Sequence, residues 1–326
     1  MYSKKKPINE LKEGDRVEDI FVVKIKRVML PYKNKSGYYF SLVLSDSSGR
    51  SIECKYWGKE SEDNTKMVYD SIKGDSVVFV QGRVENYGGK LQISANPPAD
   101  SIRTLSEGEY DPNDFIMPAR RDIERMVKEL NGYIESIQNT EIRSLLNKVF
   151  QGSFLEKFKV HPGSIEIHHN WTGGLLQHTL EVVKYSDLSK NLFNDMDRDL
   201  LIAGAILHDI GKIEEIEVTT RIKGTRKGQL KGHIPIGFRM VSKIMDELKT
   251  SENVRDKLLH IILSHHGCME QGSPKAPMLP EAVAVYYADE LSSKLAEITD
   301  FIKGAKDATE DEFMYNRRQG RNILLK

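Results

Sequence analysis

Two periods of hydrophobic spacing divide this chain, and the change between them falls within one short stretch. Before residue 96 apolar residues alternate, as over 38–44 and 51–57, which buries one face of a strand. After residue 121 they recur at three- and four-residue intervals, which buries one stripe of a helix. One core cannot be built on both periods, so the chain divides into a β domain, 1–96, and an all-α domain, 121–326. The intervening sequence, from Asn96-Pro97-Pro98-Ala99-Asp100 to Met117-Pro118, is rich in proline and turn formers, and 97–120 is expected as a linker. The length of 326 residues agrees, since a domain takes roughly 150.

The first domain reads as strands over 17–30, 38–44, 51–57, 76–87 and 90–94, with one helix, 59–72, between the third and fourth. That order is the order of the Greek-key barrel called the OB-fold. Seven amphipathic segments make up the second domain: 123–137, 141–150, 175–188, 198–207, 238–248, 254–263 and 282–302. The longest apolar run, 200–207, is far short of the roughly 20 residues of a membrane span, so no membrane partner is expected. Only Cys54 and Cys268 occur, far apart, which excludes a disulfide framework and a cysteine-built zinc module. A reducing, cytoplasmic setting is the expectation.

The histidines carry the chemistry. His178 lies in Leu-Leu-Gln-His-Thr-Leu, His208 and Asp209 are adjacent in His-Asp-Ile-Gly-Lys, and His233 opens a helix. His265 and His266 are adjacent at the end of another helix, and Asp289 lies on the last. A lone histidine at a helix end is more often a dipole partner or a hydrogen-bonded core residue than a ligand. Here, however, imidazoles and carboxylates recur on successive helices of one bundle, and these are the donors that suit Mn²⁺, Fe²⁺, Zn²⁺ and Mg²⁺. A metal centre follows as the expectation. His168 and His169, in the loop before the His178 helix, are candidates for contacts behind the ligands or to substrate, with ordinary loop histidines weighed equally.

This ordered set resembles the HD-domain metal-dependent phosphohydrolases, named for the pair that stands here as His208-Asp209. The resemblance implies one metal held by His178, His208, Asp209 and Asp289, and a second held by His233, His265 and His266 with Asp209 bridging. It implies a catalytic role for Asp209 and for Lys212, whose charge would face the scissile phosphate. With the barrel in front, and with Gly173-Gly174-Leu175-Leu176-Gln177-His178-Thr179, Gly232-His233-Ile234 and Leu263-Ser264-His265-His266-Gly267 in order, the whole chain resembles the YhaM-type 3′-to-5′ exoribonucleases. What that implies is hydrolysis of single-stranded RNA, or DNA, from the 3′ end to nucleoside 5′-monophosphates. It further implies two divalent ions, manganese first with Mg²⁺, Fe²⁺ and Co²⁺ left open, and association into a homo-oligomer. The alternative is an HD phosphohydrolase acting on a nucleotide or cyclic nucleotide, with the barrel regulatory.

Net charge, with 48 Lys plus Arg against 48 Asp plus Glu, speaks at face value against a polyanionic partner. Its distribution speaks otherwise. No acidic residue falls between Asp19 and Asp46, where Lys24, Lys26, Arg27, Lys33 and Lys35 lie, nor between Glu217 and Asp246, where Arg221, Arg226 and Lys227 lie among seven basic residues. Both windows are expected to present positive potential to a strand. Arg317, Arg318 and Arg321 form a weaker third cluster. Tyr32, Tyr39 and Trp57 interleave with the first window and are the expected base-stacking rings.

Overall fold

The computed structural model describes residues 1–58, 62–165, 169–306 and 311–326. It divides into two compact units, Met1–Pro118 with Val218–Ile222, and Ala119–Glu217 with Lys223–Lys326.

In the first unit the strands are β1 (Arg16–Lys26), β2 (Leu30–Pro31), β3 (Tyr38–Ser45), β4 (Ser51–Trp57), β5 (Val77–Tyr87), β6 (Lys90–Ala95) and β7 (Ser101–Thr104). β1, β3, β4, β6 and β5 pair in that order, and β5 returns to β1, so the sheet closes. One pairing is parallel, β4 with β6, where Cys54 stands opposite Ile93. The rest are antiparallel, and helix α1 (Glu62–Ser71) fills the connection from β4 to β5. This is the OB-fold topology that the alternating pattern predicts. Alternation sends Phe21, Phe40, Leu42, Leu44, Cys54 and Ile93 inward, all fully buried. A shift in register between Val23 and Ile25 bends β1 so that it can serve both neighbours.

The segment expected as a linker is folded onto this unit. β7 pairs with β5, Val80 opposite Ile102, and Leu105, Tyr110 and Phe115 are buried in a small cluster with Ile20, Val22 and Val77. Proline and turn residues here make tight corners on a surface, a reading that composition alone does not separate from a connector.

The second unit is helical: α2 (Ile123–Ser136), α3 (Thr140–Val149), α4 (Gly152–Val160), α5 (Gly174–Leu192), α6 (Arg198–Leu207), α7 (Lys212–Glu215), α8 (Arg226–Lys231), α9 (His233–Leu248), α10 (Glu252–Ser264) and α11 (Pro280–Lys306). Two hairpins accompany them, β8–β9 (Ile216–Val218 and Ile222–Gly224) and β10–β11 (Phe313–Asn316 and Arg321–Leu324). α6 is the centre: every residue from Leu200 to Leu207 is buried, so it is apolar all round rather than striped. It packs on α5, α10 and α11. No helix among the described residues is long and apolar enough to cross a membrane.

Gly82 marks a close approach of two paired strands in the barrel. A Cβ there would lie 2.7 Å from the Ser94 carbonyl oxygen and 2.9 Å from the Ile93 side chain, where β5 crosses β6. Gly82→Ala is therefore expected to lower barrel stability by about 1–3 kcal/mol, the cost of overpacking a filled interior. A reduced urea midpoint in the barrel's transition checks this, and an unchanged midpoint would show that the two strands can part without cost.

Candidate metal centre and nucleic-acid face

α6 ends in the sequence His208-Asp209-Ile210-Gly211, and the turn that follows sets the centre. Asp209 is buried, with its two oxygens facing different histidines. Oδ2 lies 3.4 Å from Nε2 of both His178 and His208, while Oδ1 lies 3.4 Å from Nε2 of His233 and 3.7 Å from Nε2 of His265. His178 Nε2 is also 3.3 Å from His208 Nε2 and 3.1 Å from Asp289 Oδ1. His266 packs its ring against His233 and His265. Gly211 makes the arrangement possible, because a Cβ there would stand 2.0 Å from the His233 carbonyl oxygen at the start of α9.

Each of the five rings is pinned at its other nitrogen. Nδ1 of His208 is 2.8 Å from the Ala205 carbonyl, Nδ1 of His265 is 2.8 Å from the Ile262 carbonyl, and Nδ1 of His266 is 2.9 Å from the Gln271 carbonyl. Nδ1 of His233 meets the Glu215 carboxylate at 3.2 Å. Carbonyls and carboxylates only accept, so Nδ1–H donates and the Nε2 lone pair points inward. His178 keeps its Nδ1 proton through a relay: its Nδ1 donates to Ser292 Oγ at 3.1 Å, and Ser292 donates to Glu181 Oε2 at 2.7 Å. His169 Nε2 meets the same Glu181 oxygen at 3.0 Å.

Donor atoms that share one ion at about 2.1 Å stand about 3.0–3.4 Å apart at octahedral or tetrahedral angles. The spacings above fall on or near that range. Nε2 of His233 and of His265 are buried with no hydrogen-bond partner among the described residues, which is costly unless something else accepts their lone pairs. His178, His208 and Asp209 form one group with ligand atoms within 4.8 Å of one another, and His233, His265 and His266 form a second. The residues fit divalent ions.

Charge is concentrated here. Burial opposes ionisation of Asp209, yet the Lys212 ammonium, 2.6 Å from Oδ2, and the surrounding histidines hold its carboxyl well below the usual range. Burial likewise opposes a charged His178, but Asp209 and Asp289 hold it up at about 9, so without a cation its Nε2 also carries a proton, which a bound ion would displace. Where no carboxylate compensates enough, burial wins: His265 falls to about 4. Glu181 is held down at about 2 against its own burial, with His169 the main partner. Lys212 lines a cleft of about 810 Å³ with Glu215, His233, His266 and Asp289, on the open side of the centre.

All seven expected ligands thus meet at one place, with Lys212 beside them. His169 sits behind them, while His168 lies outside the described residues. Glu181, Glu215 and Ser292 were not foreseen, although each follows a candidate residue by three positions on one helix face, the spacing that brings side chains together.

On the barrel, the rings of Tyr32, Tyr39 and Trp57, the expected base-stacking residues, pack against one another. Ring centroids are 5.5 Å apart for Tyr32–Tyr39 and 5.4 Å for Tyr39–Trp57, at interplanar angles of 25° and 29°. Tyr39 stands opposite Trp57 in the β3–β4 register, the Tyr32 hydroxyl donates to the Gly58 carbonyl, and Trp57 Nε1 donates to Ser94 Oγ. Lys35 lies 4.2 Å from the centre of the Tyr32 ring, and Arg27 and Lys33 are exposed. Lys24 is half-buried. Lys26 is turned elsewhere, donating to the Ile72 carbonyl and packing over Tyr69.

The second basic window is acid-free only along the chain. Arg221 is paired with Asp75, Lys227 with Glu214, Lys223 with Glu217 and Arg239 also with Glu214. Asp75 and the two acids just before the window, Glu214 and Glu217, pair with four of its seven cations, and of its three candidate contacts only Arg226 is exposed.

Residues 175–294 match the HD domain family, a span that contains all seven candidate ligands, and residues 21–96 match a family described as OB-fold nucleic acid binding domain. The 3′-5′ exoribonuclease YhaM of Geobacillus sp. (strain WCH70) is 33% identical over 303 residues, 93% of this chain and 90% of that protein. This chain belongs to the YhaM family. Among solved structures, the second OB-fold domain of replication protein A from Methanococcus maripaludis is 21% identical, covering 32% of this chain and 96% of that one at a TM-score of 0.24. A replication protein A heterotrimer bound to single-stranded DNA is 19% identical, covering 38% and 29%, at a TM-score of 0.27.

Removing Ser292 should separate folding from metal affinity. Ser292→Ala breaks the relay from Glu181 to His178 Nδ1 and is expected to weaken Mn²⁺ binding by about 10- to 100-fold, the usual effect of losing a partner behind a ligand. Calorimetric Mn²⁺ titration of the folded variant reads this, and wild-type affinity would show that His178 needs no such support.

Proposed function

We propose that this protein is a divalent-metal-dependent 3′-to-5′ exonuclease that acts on single-stranded RNA, and on DNA where the strand fits. The observation that carries the reading is the Asp209 carboxylate, which turns one oxygen to His178 and His208 and the other to His233 and His265. One ion would be held by His178, His208, Asp209 and Asp289, and a second by His233, His265 and His266 with Asp209 shared. Bound there, divalent ions, with manganese the first choice, supply the acidity that activates water and the positive charge that clamps phosphate oxygens.

The chain's own groups do the rest. Inward-facing Nε2 lone pairs and ionised Asp209 and Asp289 form a site preorganised for cations, so little rearrangement is needed when they arrive. Lys212, fixed against Asp209 at the cleft edge, places an ammonium where negative charge grows on the phosphate. Water attacks phosphorus and the bond from phosphorus to the 3′ oxygen of the preceding nucleotide breaks, releasing a nucleoside 5′-monophosphate. Membership of the YhaM family supports the 3′-to-5′ polarity, and the match of residues 21–96 to a nucleic-acid-binding OB-fold supports a polymer over a mononucleotide. The Tyr32–Tyr39–Trp57 stack is the surface on which bases would lie.

The test is 5′-end-labelled single-stranded RNA incubated with the purified protein and Mn²⁺. A ladder shortening from the 3′ end, with 5′-monophosphates as the small product, is expected. EDTA should stop it, and Asp209→Asn should slow it by at least about a thousandfold, the scale of losing a group that both binds and activates. Internal fragments, 3′-phosphate products or intact RNA would overturn the proposal.

A further inference from the structure

The cleft beside the candidate metal centre has a wall that the bundle does not supply. Its lining runs from Lys212, His233, His266 and Asp289 along α11 through Ser293, Lys294 and Glu297 to Arg318, on the turn of the β10–β11 hairpin. That hairpin is a built element. Phe313 pairs with Leu324 and Asn316 with Arg321, and Ile323 and Leu325 are buried. Asn316, itself buried, accepts hydrogen bonds from the backbone N–H of Arg318 at 3.0 Å and of Gln319 at 3.2 Å, which fixes the turn. Gly320 completes it at φ +64°.

Arg318 is loosely tied where three other arginines of this unit are held firmly. Arg198, Arg239 and Arg255 meet carboxylates at 2.8, 3.0 and 2.6 Å. Among the described residues the one acidic group paired with Arg318 is Glu297, its Oε1 3.9 Å from Nε, and the Arg318 side chain is 57% exposed. Lys294, on the same wall, makes no ion pair among the described residues and is exposed. A planar guanidinium with open donors suits a phosphate diester, which it can grip through two parallel hydrogen bonds. A polynucleotide offers such a group one nucleotide back from the bond being cut, whereas a mononucleotide does not.

Resting on the exonuclease reading, we propose that Arg318, with Lys294 beside it, binds a backbone phosphate upstream of the scissile one and so selects a strand over a mononucleotide. The carboxyl-terminal hairpin is then a substrate-binding arm of the cleft. Because the contact is made equally in the ground and transition states, its loss raises KM and leaves kcat nearly unchanged.

Steady-state cleavage of a single-stranded RNA oligomer with Mn²⁺ by the full-length protein tests this. Arg318→Gln is expected to raise KM about tenfold with kcat within about twofold, and to flatten the dependence of log KM on log salt by about 0.7, one phosphate contact on a single strand. Arg318→Lys should recover part of the loss, since it keeps the charge without the fork. Arg125→Gln, an exposed arginine on α2 outside the cleft lining, should keep wild-type KM. If wild-type protein leaves the RNA intact, the exonuclease reading fails and this assignment with it. If wild-type protein cuts and Arg318→Gln keeps wild-type KM and salt slope, or loses kcat instead, only the assignment to Arg318 is overturned.

Discussion

Asp209 is a carboxylate buried at the end of a fully buried helix, and the second unit is arranged around the cost of keeping it ionised. An uncompensated buried charge costs several kcal/mol. Compensation comes from the Lys212 ammonium at 2.6 Å and from histidines that each arrive on a different element. To share a cation with Asp209, those histidines need their protons at Nδ1, away from the carboxylate. The Nδ1 contacts to Ala205, Ile262, Gln271, Glu215 and Ser292 set those positions, and the first three use backbone carbonyls that helix ends leave without intrahelical partners. The same end-of-helix geometry that brings the side chains together also fixes their tautomers.

Backbone conformation supports this arrangement away from the ligands. His169 adopts a left-handed φ of +56°, uncommon for a residue with a Cβ, and its carbonyl accepts from the Gly163 N–H at 2.7 Å. Gly174 permits the approach, since a Cβ there would lie 1.9 Å from the His169 carbonyl oxygen. Holding that loop places the imidazole on Glu181, and Glu181 holds Ser292 on His178. A conformation of this kind persists only where surrounding contacts over-determine it. Here they do, because His169 is 1% exposed.

Much of this was legible because the helices carry their ligands in register with the apolar stripe. His178 follows Leu175 and Leu176, and His208 follows Leu207, so the inward face is declared by its neighbours. The barrel was legible through alternation: Phe40, Leu42 and Leu44 point in, which leaves Tyr39 on the outer side with its cross-strand partner Trp57. Ion pairs were not. Asp75 and Arg221 are far apart in the chain, and no local pattern joins Glu214 to Lys227 and Arg239. The β10–β11 hairpin also escaped notice, because its two four-residue strands are too short to establish a period, and its turn is recognisable only once Asn316 is seen to be buried.

Those ion pairs change the meaning of the charge balance. A total of 48 positive and 48 negative side chains could conceal a polarised surface, and two acid-free windows pointed to one. In space, four cations of the second window are tied to carboxylates, and Lys26 of the first is turned onto Tyr69. Five of the twelve cations of the two windows are thus engaged within the protein, while three near-parallel rings stand together on the barrel. Base stacking on such rings contributes about 1–3 kcal/mol per base and is not weakened by salt as phosphate contacts are. On the proposed function, hold on the strand comes chiefly from rings and individual guanidiniums at fixed positions rather than from a broad basic field. A nearly neutral chain needs nothing more to bind a polyanion, and it avoids the indiscriminate attraction that a field would bring.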